Sequence, residues 1–259
     1  MRTPAGRFVS PLGLYASLLF VFLYLPIITI AVLSFHDSPV NALPWQGFTS
    51  RWYARALTNP DLAKAFLNSL LLGMAVGLCA AATATAMSLA FRIPFYGKTL
   101  ILALILLPLM TPPLVHGVSL VLFWRLNGLT LSITSSVFVG HLTFVLPFVF
   151  LTIFPRVHRF DRSLEHAAMD LGATRAQTFW RITFPLMRPG IIAGGVLGFT
   201  LSFDEFLRTF FLTSRELTLP LYLWALVTND LSPQSSAVAT MVVLFSLGCL
   251  TIWGKFAAR

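Results

Sequence analysis

The stretch of sequence that decides the fold is a charged segment bounded by prolines, residues 155–189, which reads PRVHRFDRSLEHAAMDLGATRAQTFWRITFPLMRP. Its first part has the signals of a short helix. Ser163 or Asp161 can cap the start of that helix, because both side chains accept hydrogen bonds from free backbone amides. Gly172 suits its end, where a left-handed residue is needed. We therefore expect a first helix over residues 164–171.

The second part of the segment has the signals of another helix. Thr174 and Gln177 have the T-x-x-Q spacing of a capping box, in which each side chain bonds the backbone amide of the other residue. We expect this second helix to run to Pro185. A capped helix–turn–helix between two apolar stretches predicts a docking element rather than a simple connector.

The composition assigns the chain to membrane proteins. Of its 259 residues, 57% are hydrophobic and 10% are charged, and the mean hydropathy is +0.82, far above the usual range of soluble domains. Because about 20 apolar residues cross the hydrocarbon of a bilayer, we predict an all-α polytopic membrane protein with six transmembrane helices. The predicted spans, within one transmembrane domain of residues 1–259, are about 13–35, 66–91, 99–122, 134–154, 189–212 and 234–254.

Three features refine these spans. The first span is too long for the apolar core of a cleaved signal peptide, so we expect an uncleaved anchor. Prolines should break or kink the third span, at Pro108, Pro112 and Pro113. The apolar run 217–229 is too short to cross, and we expect a helix at the outer surface of the membrane.

The basic residues predict the orientation. Of the 18 Lys and Arg residues, 12 fall in segments that a cytoplasmic N-terminus places inside, five fall outside and Arg208 falls within the membrane. Both termini should therefore be cytoplasmic, because positive charge accumulates on that side. The same distribution explains the net charge of +9 without nucleic-acid binding.

The sequence has none of the residue patterns that catalysis or cofactor binding requires. The five histidines are scattered singly without metal-ligand spacing, and both cysteines fall inside spans. We expect His116 and His141 to form hydrogen bonds between helices rather than to bind a ligand. We therefore predict a transport protein and not an enzyme, with no catalytic residue, cofactor or metal. Its energy must come from a gradient or from a partner.

Two spans have faces of small residues that permit close packing. Gly190, Gly194 and Gly198 share one face of the fifth span, and Gly73 and Gly77 share one face of the second. Such faces let a backbone approach either a neighbouring helix or a second subunit. For the second span, packing within the chain is at least as well supported as packing between subunits.

An acidic pair interrupts the fifth span. Asp204 lies fifteen residues after Pro189, roughly 22 Å along a helix, in the outer third of the membrane. Arg208 has helical spacing from both Asp204 and Glu205, but adjacent residues point in different directions, so it should not satisfy both equally. The pair predicts a structural salt bridge, a carboxylate that faces a path for a cationic solute, or a gate.

The charged segment also resembles a known family. The EAA-type coupling motif of permease subunits from bacterial ABC importers is similar to Glu165-His166-Ala167-Ala168-x-Asp170-Leu171-Gly172-Ala173, followed by Ile182-x-Phe184-Pro185. The similarity covers nearly the whole chain and is strongest to permeases of the spermidine/putrescine type. Further stretches that resemble this subgroup are YLPII at 24–28, WQGFT at 45–49, HLTFVLPF at 141–148 and SFDE at 202–205.

The resemblance implies a type I ABC importer permease fold in the bacterial inner membrane. It implies a polyamine such as spermidine or putrescine as the solute, and residues 155–188 as a coupling segment that docks on an ATPase. The coupling residues that it implies are Glu165, His166, Ala167, Ala168, Asp170, Gly172 and Pro185. The implied partners are a dimer of ABC ATPase subunits, a second homologous permease and a periplasmic solute-binding protein, together with membrane lipid and without nucleic acid.

The chain departs from the family pattern in ways that leave alternatives open. His166 replaces the usual glutamate before Ala-Ala, with Glu165 one residue upstream, and Phe184 replaces the usual leucine before proline. Arg208 can mask the acidic pair, Asp204 and Glu205, which leaves another small solute such as an aminoalkylphosphonate as an alternative. A gradient-driven carrier is a second alternative. No nucleophile or cofactor loop supports a membrane-embedded enzyme or scaffold.

Overall fold

The computed structural model describes residues 11–229 and 232–257, with side chains up to Gly248. These residues are mainly helical, and their β structure is limited to an isolated bridge between His36 and Phe48. The α-helices are α1 (Pro11–Leu33), α2 (Arg51–Leu57), α3 (Pro60–Ala90), α4 (Lys98–Met110), α5 (Pro113–Leu126), α6 (Phe138–His158), α7 (Ser163–Asp170), α8 (Arg175–Thr178), α9 (Phe184–Phe203), α10 (Leu207–Leu212), α11 (Leu219–Asn229) and α12 (Gln234–Ala257). Two π-helical turns, Ile133–Val137 and Phe179–Thr183, lead directly into α6 and α9. The predicted all-α class is confirmed.

Four helical stretches of the described chain are long and apolar enough to cross a membrane: α1, α3, Ile133–His158 and Arg175–Phe203. A fifth results if α4 and α5, which are bent by 107° at a short break, count as one span. Two further apolar helices are shorter, namely α11 and the part Gln234–Gly248 of α12. A polytopic membrane protein is thus confirmed, while the count of six spans, the single domain and the cytoplasmic termini remain predictions.

The break between α4 and α5 follows from its prolines. Thr111 is extended, with φ −85° and ψ 126°, as the residue before a proline tends to be. Pro112 is the N-cap of α5 and Pro113 is its first residue. Proline is tolerated here because the first turn of a helix has no internal acceptor for an amide hydrogen, so none is missed. The predicted kink is therefore confirmed, and it falls after Pro108, which lies inside α4.

Helices α3, α6 and α9 form the centre of one of two units of the chain, residues 60–222. A Cβ atom on Gly77 of α3 would lie only 2.8 Å from the carbonyl oxygen of Gly195 in α9. One on Gly194 would lie 2.9 Å from the side chain of Ile153 in α6. Of the two roles expected for the small-residue faces, packing within the chain is the one observed.

The second helix of the charged segment does not end at Pro185, so that prediction is wrong. Helix α8 passes through the π-helical turn Phe179–Thr183 into α9, and Arg175–Phe203 is one helical stretch of 29 residues. Pro185 lies in the first turn of α9, directly after the π turn. The wider turn shifts the hydrogen-bond register ahead of the proline, which has no amide hydrogen to donate.

The other unit contains α1, α2 and most of α12. Helix α1 has no buried residue. In the loop that follows it, the indole N–H of Trp52 donates to the carbonyl oxygen of His36 at 2.8 Å. The amide of Asn41 donates to the hydroxyl of Ser236 in α12 at 2.8 Å. Hydrogen bonds therefore order this loop and attach it to α12.

Candidate functional site

Helix α7 at the centre of the coupling motif is closed at both ends. Arg162 occupies the N-cap position without a side-chain cap bond, and of the two residues considered Asp161 bonds the helix start, since its carboxylate accepts the Ser163 amide at 2.9 Å. This hydrogen bond holds the pKa of Asp161 below its usual value. At the other end Gly172 has φ +88°, its amide bonds the Met169 carbonyl, and the next amide bonds the Ala168 carbonyl at 3.0 Å. Both ends match the predicted signals.

Helix α8 starts with the predicted capping box. The Thr174 amide donates to the Gln177 side-chain oxygen at 2.9 Å, and the Gln177 amide donates to the Thr174 hydroxyl at 3.3 Å. Three residues separate α7 from this cap. The turn between the two helices is therefore fixed on both sides by hydrogen bonds, as a rigid docking element requires.

Most of the predicted coupling residues are exposed to solvent in this helix–turn–helix segment. His166, Ala167, Asp170, Gly172 and Pro185 are exposed, and Ala168 is half-buried. Large apolar side chains accompany them on α7 and after it: Leu164 is 48% exposed, Met169 37% and Leu171 90%. Exposed polar and apolar side chains therefore lie together on this part of the segment.

Glu165 is the exception, because it points into the chain. Arg92, in the turn between α3 and α4, donates from one guanidinium nitrogen to each carboxylate oxygen of Glu165, both at 2.8 Å. The hydroxyl of Thr183 donates to one of the same oxygens at 2.6 Å. The Arg92 bonds are the main reason that the pKa of Glu165 lies below its usual value. We call these three residues the inner clamp.

The inner clamp was missed by sequence reasoning. Arg92 precedes Glu165 by 73 residues, and no local spacing relates them. The available signal was the position of Arg92, a charge directly after the second apolar run.

The acidic pair lies at a break in the helix. Helix α9 ends at Phe203, Asp204 follows as its C-terminal cap residue, and α10 begins only at Leu207. The fifth span, predicted to continue through residue 212, is therefore interrupted at the acidic residues. Asp204, Glu205 and the short helix that follows do not share one helical register.

Arg208 is paired with Glu205 and not with Asp204. Its guanidinium contacts the Glu205 carboxylate at 2.7 Å, and the Arg208 side chain is only 2% exposed. Its Nε donates to Nδ1 of His116 at 2.9 Å, and its guanidinium lies 3.7 Å from the ring centre of Phe144. Since guanidinium nitrogens only donate, His116 accepts here and carries its proton on Nε2. Glu205 therefore belongs to a structural salt bridge.

Asp204 has different surroundings. Its side chain is exposed, and it forms no ion pair or hydrogen bond with any described residue. A charged group facing hydrocarbon is costly, so the face that carries Asp204 must meet water or another polar surface. Of the two candidate pathway residues, the geometry leaves Asp204 available to a solute.

The histidines inside the helices have the predicted role. His141 is fully buried, with Nδ1 2.8 Å from the Ser202 hydroxyl and Nε2 2.9 Å from the Thr209 hydroxyl. The described residues contain no group of three or more metal-ligating side chains. Hydrogen bonds of His141 thus join α6 to α9 and α10, across the helix break.

Comparisons with known proteins agree with this geometry. Residues 73–254 match the family described as binding-protein-dependent transport system inner membrane component. The chain is 36% identical to the spermidine/putrescine transport system permease protein PotC of Escherichia coli strain K12, over 95% of this chain and 93% of that protein. It is 31% identical to the putrescine transport system permease protein PotI of the same strain, over 92% and 86%.

The fold has a counterpart among solved structures. A bacterial ABC transporter involved in the import of the acidic polysaccharide alginate contains a chain that aligns with a TM-score of 0.70 at 19% identity. The alignment covers 98% of this chain and 99% of that one. This alignment supports the fold, and the family match over residues 73–254 with the 36% identity to PotC shows the family: the chain belongs to the inner membrane components of binding-protein-dependent transport systems.

Proposed function

We propose that this protein is the transmembrane subunit of an ABC importer for a polyamine such as spermidine or putrescine. ATP hydrolysis takes place in a separate pair of ATPase subunits, and the chain itself contributes no catalytic residue. A second, homologous permease completes the path, and a periplasmic binding protein delivers the solute. The names of the two similar permeases support the solute class, because their similarity extends over more than nine-tenths of this chain.

The single observation that carries the proposal is the unpaired carboxylate of Asp204. Polyamines are polycations, and a cation that leaves water needs an opposite charge nearby. Arg208 offsets the charge of one carboxylate, and it is paired with Glu205. Asp204 is therefore the carboxylate that we assign to the solute path, and Glu205 orients the helix break.

The coupling residues divide into two groups. The exposed residues His166, Ala167, Asp170 and Leu171 form the surface that we assign to the ATPase. His166 occupies the position where the motif usually has an acidic residue. Glu165 cannot provide that acidic group at the exposed surface, because its carboxylate is bound by Arg92 and Thr183. Gly172 and Pro185 shape the turn and the start of α9.

The test is reconstitution of the complete transporter in proteoliposomes. We expect uptake of labelled spermidine or putrescine that requires the ATPase subunits, internal ATP and the binding protein. Uptake that is driven by an ion gradient without the ATPase would overturn the proposal in favour of a carrier. ATP-dependent uptake of an aminoalkylphosphonate, with no polyamine uptake, would overturn the solute assignment alone.

A further inference from the structure

The carboxylate of Glu165 is the meeting point of three separate parts of the chain. It lies on α7, Arg92 lies in the turn that joins α3 to α4, and Thr183 closes the π-helical turn before α9. Three donors occupy the carboxylate: two guanidinium nitrogens and one hydroxyl. Both oxygens are therefore engaged within the chain.

We propose that Arg92 and Thr183 are positioning residues for energy coupling. Through Glu165 they fasten α7 to the α3–α4 turn and to the start of α9. When the ATPase displaces α7, the helix then moves together with the α3–α4 turn and the start of α9. Without these bonds α7 could rotate about Gly172 alone. This inference rests on the proposed function, since it assumes an ATPase at the exposed face of α7.

The geometry of the inner clamp differs from that of an ordinary surface ion pair. Two parallel nitrogen–oxygen contacts of 2.8 Å fix both the distance and the orientation of the carboxylate. The side chains of Arg92 and Glu165 are only 11% and 18% exposed. The pair of Arg51 and Asp37, at the two ends of the loop between α1 and α2, makes one contact, with both side chains about half exposed. The first geometry fixes the orientation of the carboxylate relative to Arg92, and the second does not.

The turn that carries Arg92 is itself held in place. Arg162, just before α7, donates to the Arg92 carbonyl oxygen. The ammonium group of Lys98 donates to the Phe91 carbonyl oxygen at 2.7 Å. The Arg92 guanidinium also lies 5.4 Å from the ring centre of Phe160. The clamp is thus anchored on a fixed turn and not on a flexible loop.

The elements that the clamp joins are those of the central packing. The α3–α4 turn continues α3, and Thr183 directly precedes α9. These two helices touch through their backbones at Gly77 and Gly195, where little relative sliding is possible. A displacement of α7 by the ATPase therefore moves α3 and α9 together, because the inner clamp connects α7 to both helices.

The experiment measures solute uptake per ATP hydrolysed by the reconstituted transporter. We expect Arg92→Ala and Thr183→Val to lower this ratio, for Arg92→Ala by about tenfold, while the ATPase subunits still co-purify and hydrolyse ATP. Arg125→Ala, which removes an exposed arginine outside the coupling segment, is the matched control and should leave the ratio unchanged. An unchanged ratio in Arg92→Ala would overturn the inference.

A charge exchange separates positioning from general stability. In the double variant Arg92→Glu with Glu165→Arg the pair can form again with reversed polarity, and we expect most of the coupling lost in Arg92→Ala to return. If Arg92→Ala fails to assemble, the uptake per ATP hydrolysed by the double variant is compared with that of the parent transporter, and a similar ratio supports the proposal. A double variant that assembles but stays uncoupled contradicts the proposal.

A distance measurement tests the clamp without any solute, and so independently of the proposed function. Spin labels would be placed at Ala167 on α7 and Tyr96 in the α3–α4 turn, both exposed, after replacement of Cys79 and Cys249 by Ala. We expect a narrow distance distribution in the parent and a broadened one in Arg92→Ala. If it stays narrow, the clamp does not hold α7. If it broadens while polyamine uptake is absent from the parent transporter, only the proposed function fails.

Discussion

Glu165 in the coupling segment and Asp204 at the end of α9 are carboxylates in two regions of the same chain, and their surroundings are opposite. Both carboxylate oxygens of Glu165 accept hydrogen bonds from partners in its own chain, whereas the side chain of Asp204 is exposed and has no partner among the described residues. The neighbour of Asp204, Glu205, resembles Glu165 in this respect, because it is held by Arg208. The two enclosed acids therefore join parts of the chain, whereas Asp204 joins none and is the acid that we propose for the solute path.

The largest effect is expected from removing the partner of an enclosed acid. Arg208→Ala leaves Glu205 charged and unpaired at a site where Arg208 is almost fully buried, and should cost about 3–5 kcal/mol in the free energy of unfolding. A lower midpoint of thermal unfolding in detergent would show this loss. Arg215→Ala, which removes an exposed arginine, should change the midpoint little. Equal midpoints for the two variants would contradict the structural role.

Replacing the exposed Asp204 should lower transport and leave stability unchanged. We expect Asp204→Asn to lower polyamine uptake about tenfold, the equivalent of 1.4 kcal/mol, because the solute loses its counter-charge. Its thermal midpoint should match that of the parent, since no bond within the described chain is lost. A parent-like uptake rate together with failed subunit assembly would instead assign Asp204 to an interface.

The turn after α7 gives a smaller, specific effect. Gly172 has φ +88°, where a β-branched side chain is strained, so Gly172→Val should cost about 1–2 kcal/mol and distort the turn. We expect ATP hydrolysis to continue while uptake falls several-fold. No atom lies within 4 Å of a Cβ added at this position, so Gly172→Ala is a control for the backbone strain alone. Parent-like uptake in the valine variant would remove this turn from the coupling mechanism.

The smallest expected effect is the pH dependence of the stabilisation by Glu165. The pKa of Glu165 lies below its ordinary value of 4.5, mainly because of the hydrogen bonds from Arg92, and Arg162 adds to the positive surroundings. The stabilisation by the clamp is thus complete above pH 4.5 and is lost as the pH falls through the lower folded value. The difference in thermal midpoint between the parent and Glu165→Gln should be present at pH 7 and shrink under acid conditions. A difference that stays constant with pH would contradict the linkage, and Asp170→Asn is the control on the same helix.

Features that depend on neighbouring residues were predicted well from the sequence. The hydrogen bond of Asp161 at the start of α7, the left-handed Gly172 and the box of Thr174 with Gln177 all form as their spacing indicates. The break of the third span after Thr111 was predictable for the same reason, since a proline acts directly on the residue before it. In each case the cause and the effect lie within one turn of the chain.

Features that depend on distant partners were not predictable. The bond between Arg92 and Glu165 joins residues that only the tertiary fold brings together. The choice of Glu205 over Asp204 as the partner of Arg208 depends on the helix ending at Phe203, which the helical spacing of these residues in the sequence does not reveal. The continuation of the helix past Pro185 likewise depends on a π turn that no residue type marks.

The π turn at Phe179–Thr183 also sets the rotational phase between the coupling segment and the membrane bundle. One additional residue in a helix turns everything on one side of it by about 100° relative to the other. Excising a single residue there would restore ordinary α hydrogen bonding without cutting the helix, yet would turn the segment before it by that angle relative to α9. Under the proposed function, one surplus residue therefore sets the direction in which the coupling segment faces, independently of the inner clamp that holds α7.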